Sequence, residues 1–172
     1  MKAPVISAPG QVDVTTVPDP TPGHGDDDLA RAGCGICGTD LHILEGEFAP
    51  TLPVVPGHEF AGDVVAIGSD VTECAIGDQV AVDPSLQCHE CYYCRRGRGN
   101  LCERWAAIGV TTAGGAAEHA VAPVANCVRL PEGAKVADYA LVEPLSCALH
   151  DFDVLPAGSA TSISSTALAR WA

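Results

Sequence analysis

Positive charge is scarce in this sequence. Its 172 residues include nine lysines and arginines against 22 aspartates and glutamates, which gives a net charge of −13. Nucleic acids and anionic membrane surfaces both attract clustered Lys and Arg, so the composition argues against either partner. No apolar run approaches the roughly 18 residues of a membrane span, and the N-terminal segment lacks the apolar stretch of a signal peptide. We therefore expect a cytoplasmic protein.

Aromatic residues are also few, at 5% of the chain, whereas glycine (18) and proline (13) are frequent. Short valine-rich runs alternate with Gly, Pro and Asp, a pattern that indicates a mainly β fold with tight turns. The predicted strands are Ala3–Ser7, Gln11–Val17, Glu59–Ile67, Gln79–Val82, Ala117–Val121 and Cys127–Leu130. One short helix is predicted over Glu143–His150, and the acidic run Asp26–Asp28 is predicted to be a solvated loop.

The nine cysteines point to metal, because disulfides are rare in a reducing compartment. Four of them form the pattern Cys88-x2-Cys91-x2-Cys94-x7-Cys102. Four thiolates at such short spacing can surround one tetrahedral Zn²⁺, and nearby arginines would offset the net negative charge of that site. The alternative is an iron–sulfur cluster, but bacterial ferredoxins continue with x3-Cys-Pro. The longer last gap, followed by Glu103, favours zinc.

A second set of potential ligands is spread along the chain. Cys37, the pair His58-Glu59 and Glu143 are residue types that bind zinc, and a catalytic zinc uses three such ligands plus an open position. Asp40 could orient His58, because metal-bound histidines usually donate their second nitrogen to a carboxylate. The cysteines outside both sets are predicted to be packing residues: Cys34, Cys74, Cys127 and Cys147.

Four motifs, in order, carry a family resemblance: C-G-T-D-x-H from Cys37, G-H-E-F-A-G from Gly57, the four-cysteine pattern, and E-P-L-S-x-A-L-H from Glu143. Together they resemble the zinc-dependent medium-chain alcohol dehydrogenases. The E-P-L-S form is similar to the polyol (sorbitol-like) and threonine dehydrogenase branch. The resemblance implies a GroES-like β-barrel catalytic domain over residues 1–150, with a structural-zinc lobe at 88–102.

The resemblance also implies roles for individual residues. Cys37, His58 and Glu143 match the catalytic zinc ligands of the family, with Glu59 as a close or exchanging ligand and Asp40 behind the histidine. The structural zinc would be held by Cys88, Cys91, Cys94 and Cys102.

A reaction follows from the same resemblance. Zinc acts as a Lewis acid that binds the alcohol oxygen and lowers its pKa. Thr39 matches the hydroxyl that takes the alcohol proton, and His42 matches the relay that passes the proton toward solvent. Hydride then goes to a nicotinamide, so NAD(P) is required. The implied substrate is a small alcohol or polyol, and a homo-oligomer remains open.

The sequence departs from the family pattern in two places. The family has an alternating apolar strand before the C-G-x-C-G-T-D motif, but residues 26–33 read D-D-D-L-A-R-A-G, which is expected to weaken that strand. Residues 151–172 lack the G-x-G-x-x-G turn of a Rossmann domain. We interpret them as a truncated or frameshifted tail. Alanine codons begin with G and can yield glycine codons in a shifted reading frame, and Ala167, Ala169 and Ala172 have the spacing of the three glycines. The Rossmann domain is thus expected to be absent and this chain alone to be inactive.

A rival hypothesis is a non-enzymatic, zinc-binding GroES-like interaction module. Such a module has no need for Thr39 and His42 beside a set of zinc ligands. The sequence therefore favours the dehydrogenase domain.

Overall fold

The structure, a computed structural model, describes residues 1–48 and 50–155. It is mainly β with two short helices, which confirms the predicted fold class. The strands are β1 (Lys2–Ala8), β2 (Gln11–Thr16), β3 (Asp26–Cys34), β4 (Phe60–Ile67), β5 (Gln79–Val82), β6 (Ser85–Leu86), β7 (Ala106–Ala107), β8 (His119–Pro123) and β9 (Cys127–Arg129). The helices are α1 (Gly38–Glu45) and α2 (Val142–Val154).

The body is a five-stranded antiparallel sheet in the order β8-β3-β4-β5-β9. Two smaller antiparallel sheets, β1–β2 and β6–β7, accompany it. The β1 strand is tied to the segment before β4 by a bridge between Ile6 and Val54. Between β6 and β7 the chain makes a long excursion, 87–105, which contains the four-cysteine pattern.

The main hydrophobic core is built largely on the five-stranded sheet. Leu29, Phe60, Val64 and Val80, all fully buried, come from the three central strands, and Ile108, which follows β7, packs with them. A second apolar cluster joins α1, through Ile43, to β1, through Ile6. The second cluster fixes the helix that carries several of the predicted site residues.

Strand β3 corrects the interpretation of the acidic run. Asp26–Asp28 is not a solvated loop but the first third of a nine-residue strand, and Asp27 and Asp28 are buried. Because β3 lies between β4 and β8, both edges of its backbone are paired, and these hydrogen bonds outweigh the polar side chains. The departure from alternation appears instead as register shifts against β4, between Asp28 and Leu29 and between Arg31 and Gly33.

The other predicted strands form with boundaries shifted by at most two residues, and Gln79–Val82 forms as predicted. Helix α2 begins one residue before the predicted helix and continues to Val154, across the predicted domain boundary at 150. Helix α1 was not predicted. The tail proposed to be truncated or frameshifted falls, from residue 156 onward, outside the described residues. Within 1–48 and 50–155, no helix has both the length and the apolar character needed to span a membrane.

The burial of Asp27 in the core is energetically unfavourable. Its side chain is fully buried, and neither carboxylate oxygen has a hydrogen-bond partner among the described residues. Two thiols, those of Cys74 and Cys127, are its polar neighbours. Burial, with the Asp27 carboxylate next in importance, raises the pKa of both thiols, that of Cys74 to about 11. The thiols therefore stay protonated and neutral, and they add no second negative charge beside Asp27.

We predict that Asp27→Val stabilises the protein, because it removes a buried polar group without leaving a cavity. The gain in free energy of unfolding should be about 1–3 kcal/mol. Asp27→Asn, which removes the charge but keeps the buried polar group, should give a smaller gain. Urea unfolding followed by circular dichroism measures both. A loss of stability in Asp27→Val would mean that the carboxylate has a favourable partner.

Candidate metal centres and active site

The four cysteines of the predicted lobe converge. Each offers a sulfur atom, and the four sulfurs lie within 4.8 Å of one another, with 3.9 Å between those of Cys88 and Cys94. The chain brings them together through two 3-10 turns, at Cys94–Arg96 and Gly99–Leu101. The group of sulfurs is thus assembled by local turns in a segment that contributes little to the hydrophobic core.

Backbone N–H groups point at these sulfurs, as expected for a site that holds thiolates. The N–H of Cys88 and the N–H of Arg104 donate to the Cys102 sulfur at 3.4 and 3.3 Å. The N–H of Cys94 donates to the Cys91 sulfur at 3.5 Å. At Cys88, the backbone N–H of Glu90 is the main cause that lowers the thiol pKa, to about 6. The pKa of the Cys91 thiol is lowered as well, chiefly by the backbone N–H of Cys94, whereas burial and the neighbouring sulfurs raise the pKa of the Cys94 thiol. The backbone therefore favours deprotonated sulfur, the form that binds metal, at Cys88 and Cys91.

The arginines of the lobe were expected to offset the negative charge of the four sulfurs, and two of them make contacts at its surface instead. Arg104 forms an ion pair with Glu90 at the edge of the lobe. Arg96 stacks 3.6 Å above the Tyr92 ring and donates to the Tyr92 carbonyl at 3.0 Å. These contacts stabilise the surface of the lobe. They also hold positive charge in the segment that carries the sulfurs.

Asp40 organises the second site. It lies in the first turn of α1, where its Oδ2 accepts the N–H of Cys37 at 2.8 Å, so the helix start and the Cys37 side chain are fixed together. Its Oδ1 accepts the N–H of Gly57 at 3.3 Å and lies 3.6 Å from Nδ1 of His58. One carboxylate therefore ties the Cys37 segment to the His58 segment.

Gly57 permits the close approach that this arrangement requires. Its φ of +97° lies in the left-handed region, and a Cβ there would lie 2.7 Å from both the Ala116 nitrogen and the Cys34 sulfur. Burial raises the pKa of the Cys34 thiol to about 11, which agrees with its prediction as a packing residue. The left-handed residue turns the chain into β4 and points the two following side chains, His58 and Glu59, inward.

Three unlike donors meet at this turn. A sulfur of Cys37, a ring nitrogen of His58 and a carboxylate oxygen of Glu59 lie within 4.8 Å of one another. Glu59 is held by its backbone, whose carbonyl accepts the N–H of Gly35 at 2.7 Å, and its carboxylate lies directly over Gly35. His58 and Glu59 are buried and Cys37 is half-buried.

Opposing effects act on the two buried groups. Burial by itself lowers the pKa of His58, but its interactions with the Asp40 carboxylate and the Cys37 sulfur are stronger together and raise it to about 9. Burial raises the pKa of Glu59, and the nearby negative charge of Glu143 adds to that. The Asp40 carboxylate and the Cys37 sulfur thus favour the protonated form of His58.

The three donors open into a cavity of about 280 Å³. Glu143, on α2, lines the same cavity but is not in the group of donors within 4.8 Å. Its Oε1 accepts the Cys147 thiol at 3.4 Å. The role of Glu143 as a metal ligand stays a prediction, whereas Cys147 is an exposed cavity residue and the packing prediction for it was wrong.

Thr39 and His42 lie on α1, one helical turn apart. Thr39 lines the cavity, with its hydroxyl oxygen 3.7 Å from the Cys37 sulfur. His42 is exposed, and its Nδ1 is 2.8 Å from a carboxylate oxygen of Glu47. The helix therefore carries one hydroxyl inside the cavity and one imidazole at the solvent.

The rest of the cavity wall was not predicted. Phe48, Pro84, Trp105 and Val110 form an apolar side, together with the Ser85 hydroxyl. Nothing in the local sequence marks these residues, since they come from loops and short strands. Cys147 could have been found, because it follows Glu143 by four residues and so shares its face of a helix.

Comparison with known proteins agrees with this geometry. Residues 28–132 match the alcohol dehydrogenase GroES-like domain. A D-arabinitol dehydrogenase 1 from Uromyces fabae is 45% identical over 126 residues, which are 70% of this chain and 34% of that protein. An L-threonine 3-dehydrogenase from Saccharopolyspora erythraea is 43% identical, over 83% of this chain and 43% of that protein.

Solved structures resemble the fold as well. An alcohol dehydrogenase from Escherichia coli CFT073, complexed with NADH, superposes with a TM-score of 0.81 at 37% identity, over 87% of this chain and 44% of that one. The chain thus spans less than half the length of these relatives. It belongs to the zinc-dependent medium-chain alcohol dehydrogenase family, of which it comprises the GroES-like N-terminal domain.

Proposed function

We propose that this chain is the alcohol-binding catalytic domain of a zinc-dependent alcohol or polyol dehydrogenase. The observation that carries the proposal is the meeting of Cys37, His58 and Glu59 at the floor of a cavity with an otherwise largely apolar wall. A structural metal site is closed by its protein ligands, whereas a catalytic one keeps a position open toward substrate. The cavity provides that open side.

The donor set suits zinc. Thiolate, imidazole and carboxylate are its three usual ligand types, and bonds of about 2.0–2.3 Å let one ion reach several donors in such a group. The four sulfurs of the lobe suit a second zinc of the closed, structural kind. In the cavity, zinc would supply Lewis-acid polarisation of the alcohol oxygen.

Each cavity residue then has a task of its own. The Asp40 carboxylate faces Nδ1 of His58 at 3.6 Å and would orient the ring by accepting a hydrogen bond from that nitrogen, which leaves the other ring nitrogen for the ion. The Thr39 hydroxyl lies where it can accept the alcohol proton, and His42, one turn further and exposed, passes the proton to solvent. Glu143, across the cavity, is a candidate additional ligand.

The apolar side binds the carbon chain of the substrate and excludes water. Phe48, Trp105 and Val110 offer no hydrogen bonds through their apolar surfaces, so they favour carbon over solvent. Ser85 supplies a hydroxyl for a further oxygen of a polyol. NAD(P) is the proposed hydride acceptor, because the E. coli relative is complexed with NADH and hydride transfer needs such a cofactor.

Alcohol binding to a cobalt-substituted chain tests the proposal. Co²⁺ bound through Cys37 should give visible absorption that shifts when a small alcohol is added, because the alcohol enters the open position. Cys37→Ser should abolish the shift, whereas Cys94→Ser, in the lobe, should retain it. A cobalt spectrum insensitive to alcohols would favour the non-enzymatic interaction module instead.

For the lobe, we predict that Cys94→Ser loosens residues 88–104 selectively. Metal binding supplies the folding free energy of such segments, so losing one of four ligands should expose their amides while the five-stranded sheet stays intact. Hydrogen exchange by mass spectrometry measures this, with Cys147→Ser as the matched control outside the lobe. Unchanged exchange at 88–104 would show that the lobe does not depend on metal, and iron in the purified protein would contradict zinc.

Metal uptake at the cavity should depend on pH. Because the pKa of His58 is raised to about 9 in the metal-free chain, zinc must displace a proton below that pH. The apparent zinc affinity should therefore rise about tenfold per pH unit from 7 toward 9 and then level off. In the metal-free chain the same shift stabilises the fold fully below pH 6.5, the unshifted value for His58, and is lost as pH rises through about 9.

Asp40→Asn is the variant that tests this. It keeps an oxygen that can accept one of the two backbone N–H groups bonded by Asp40, those of Cys37 and Gly57, and leaves the other without its acceptor. It also removes the negative charge beside His58, so the pKa of His58 should fall. Zinc should then bind about 10–100-fold more weakly at high pH, with a smaller pH dependence between 7 and 9 than in the unmodified chain. Calorimetry in buffers of different ionisation enthalpy counts the released protons. Equal proton release in both proteins would contradict the role of Asp40.

A further inference from the structure

Strand β2 presents a bare edge. It pairs only with β1 among the described strands, and every residue from Gln11 to Thr16 is exposed. Val14 is 73% exposed and Val12 is 46% exposed, both in an element of high β propensity. Proteins usually protect such edges with Lys, Pro or a bulge, and none of these occurs between Val12 and Thr16.

The register shows which backbone groups are free. Met1 and Val17 exchange hydrogen bonds of 3.0 Å, so they form a hydrogen-bonded pair. Hydrogen-bonded and non-hydrogen-bonded pairs alternate along an antiparallel ladder. The pairs Ala3–Thr15 and Val5–Asp13 are therefore hydrogen-bonded as well.

It follows that the backbone N–H and carbonyl groups of the intervening β2 residues point away from β1. Ile6 confirms the alternation, since its N–H and carbonyl bond Val54 rather than β2, at 2.9 and 3.0 Å. The N–H and carbonyl groups of Val12, Val14 and Thr16 thus face outward along the edge. No backbone hydrogen bond from these three residues to any described part of the chain outside the β1–β2 pair is present.

We propose that this edge pairs with the same edge of a second copy of the chain, antiparallel and with a two-fold axis at Val14. Val14 then faces Val14 of the second copy, and Val12 faces Thr16. Each of these pairs can exchange two hydrogen bonds, because only outward-facing residues are matched. The two β1–β2 sheets become one four-stranded sheet.

The charge pattern favours a second copy as the occupant. Asp13 is the one charged residue in β2, and in this register it faces Thr15 of the second copy rather than another Asp13. Like charges directly opposite each other, which would destabilise a sheet, are therefore avoided. The exposed valine side chains of the two copies lie on the same face and form an apolar stripe across the axis.

The contact is small, so the dimer should be weak and concentration-dependent. Its response to salt separates it from a contact made by charges. With a net charge of −13 on each copy, salt should strengthen the association by screening repulsion, whereas an association through ion pairs would weaken.

Sedimentation of the 172-residue chain over a range of concentrations tests the proposal, together with hydrogen exchange of residues 11–17. We expect a monomer–dimer equilibrium in which the amides of Val12, Val14 and Thr16 become protected as the dimer forms. Val14→Pro removes the central outward N–H while leaving the bonds to β1, and should abolish the dimer. Val14→Lys puts two like charges at the axis and should do the same.

Val128→Lys is the matched control, since Val128 is an exposed valine of the edge strand β9. It should leave the dimer intact. Circular dichroism checks that each variant is folded. If Val14→Pro does not fold, Val14→Lys alone tests the proposal. A monomer at all concentrations, a dimer with unprotected β2 amides, or a monomer whose β2 edge is already protected would each overturn the proposal.

Discussion

The candidate active site depends on one carboxylate. Asp40 accepts backbone N–H groups from Cys37 and from Gly57, and it faces the ring of His58. These contacts join a helix start to a loop that is far away in sequence, in a place where the side chain is largely buried. A buried charge is tolerated only with such partners, so the same interaction that stabilises Asp40 also fixes the geometry of the donors.

The rest of the fold supports this junction from both sides. Ile43 anchors α1 in the cluster with Ile6 and Val54, and Phe60 anchors the segment that follows His58 in the main core. The site is therefore built on rigid elements, as precise donor positions require. The lobe follows a different principle, because its sulfurs are held by turns and N–H···S hydrogen bonds with little apolar packing. One chain thus combines an open, core-supported centre with a closed, locally folded one.

How much of this could be predicted from sequence differs between the two centres. The lobe could be predicted, because its four cysteines are so close in sequence that their sulfurs must lie near one another. The meeting of Cys37 with His58 could be inferred only from the family motifs, since no local rule brings them together. Helix α1 was missed because it spans about two turns, and its N-cap is Cys37 rather than a typical Ser, Thr, Asp or Asn, with Asp40 at the third helical position.

The acidic start of β3 is the clearest case in which tertiary structure overrode the local signal. Three consecutive aspartates favour a turn or loop, yet the strand lies between two neighbours that pair with it along its length. Asp28 lies 3.5 Å from a ring nitrogen of His119 on β8, whereas Asp27 has two protonated thiols beside it and no hydrogen-bond partner among the described residues. The apolar cavity wall was also beyond prediction, because loops and short strands assemble it from residues with no shared pattern.

The central claim is that one chain holds two distinct zinc sites, one of four sulfurs and one of sulfur, nitrogen and oxygen. The most direct measurement is X-ray absorption at the zinc edge, combined with the zinc-to-protein ratio after exhaustive dialysis. The account predicts two zinc ions per chain and an average of mixed sulfur and nitrogen or oxygen ligands that becomes all-sulfur in Cys37→Ser. A single zinc with only sulfur ligands in the unmodified chain would contradict it.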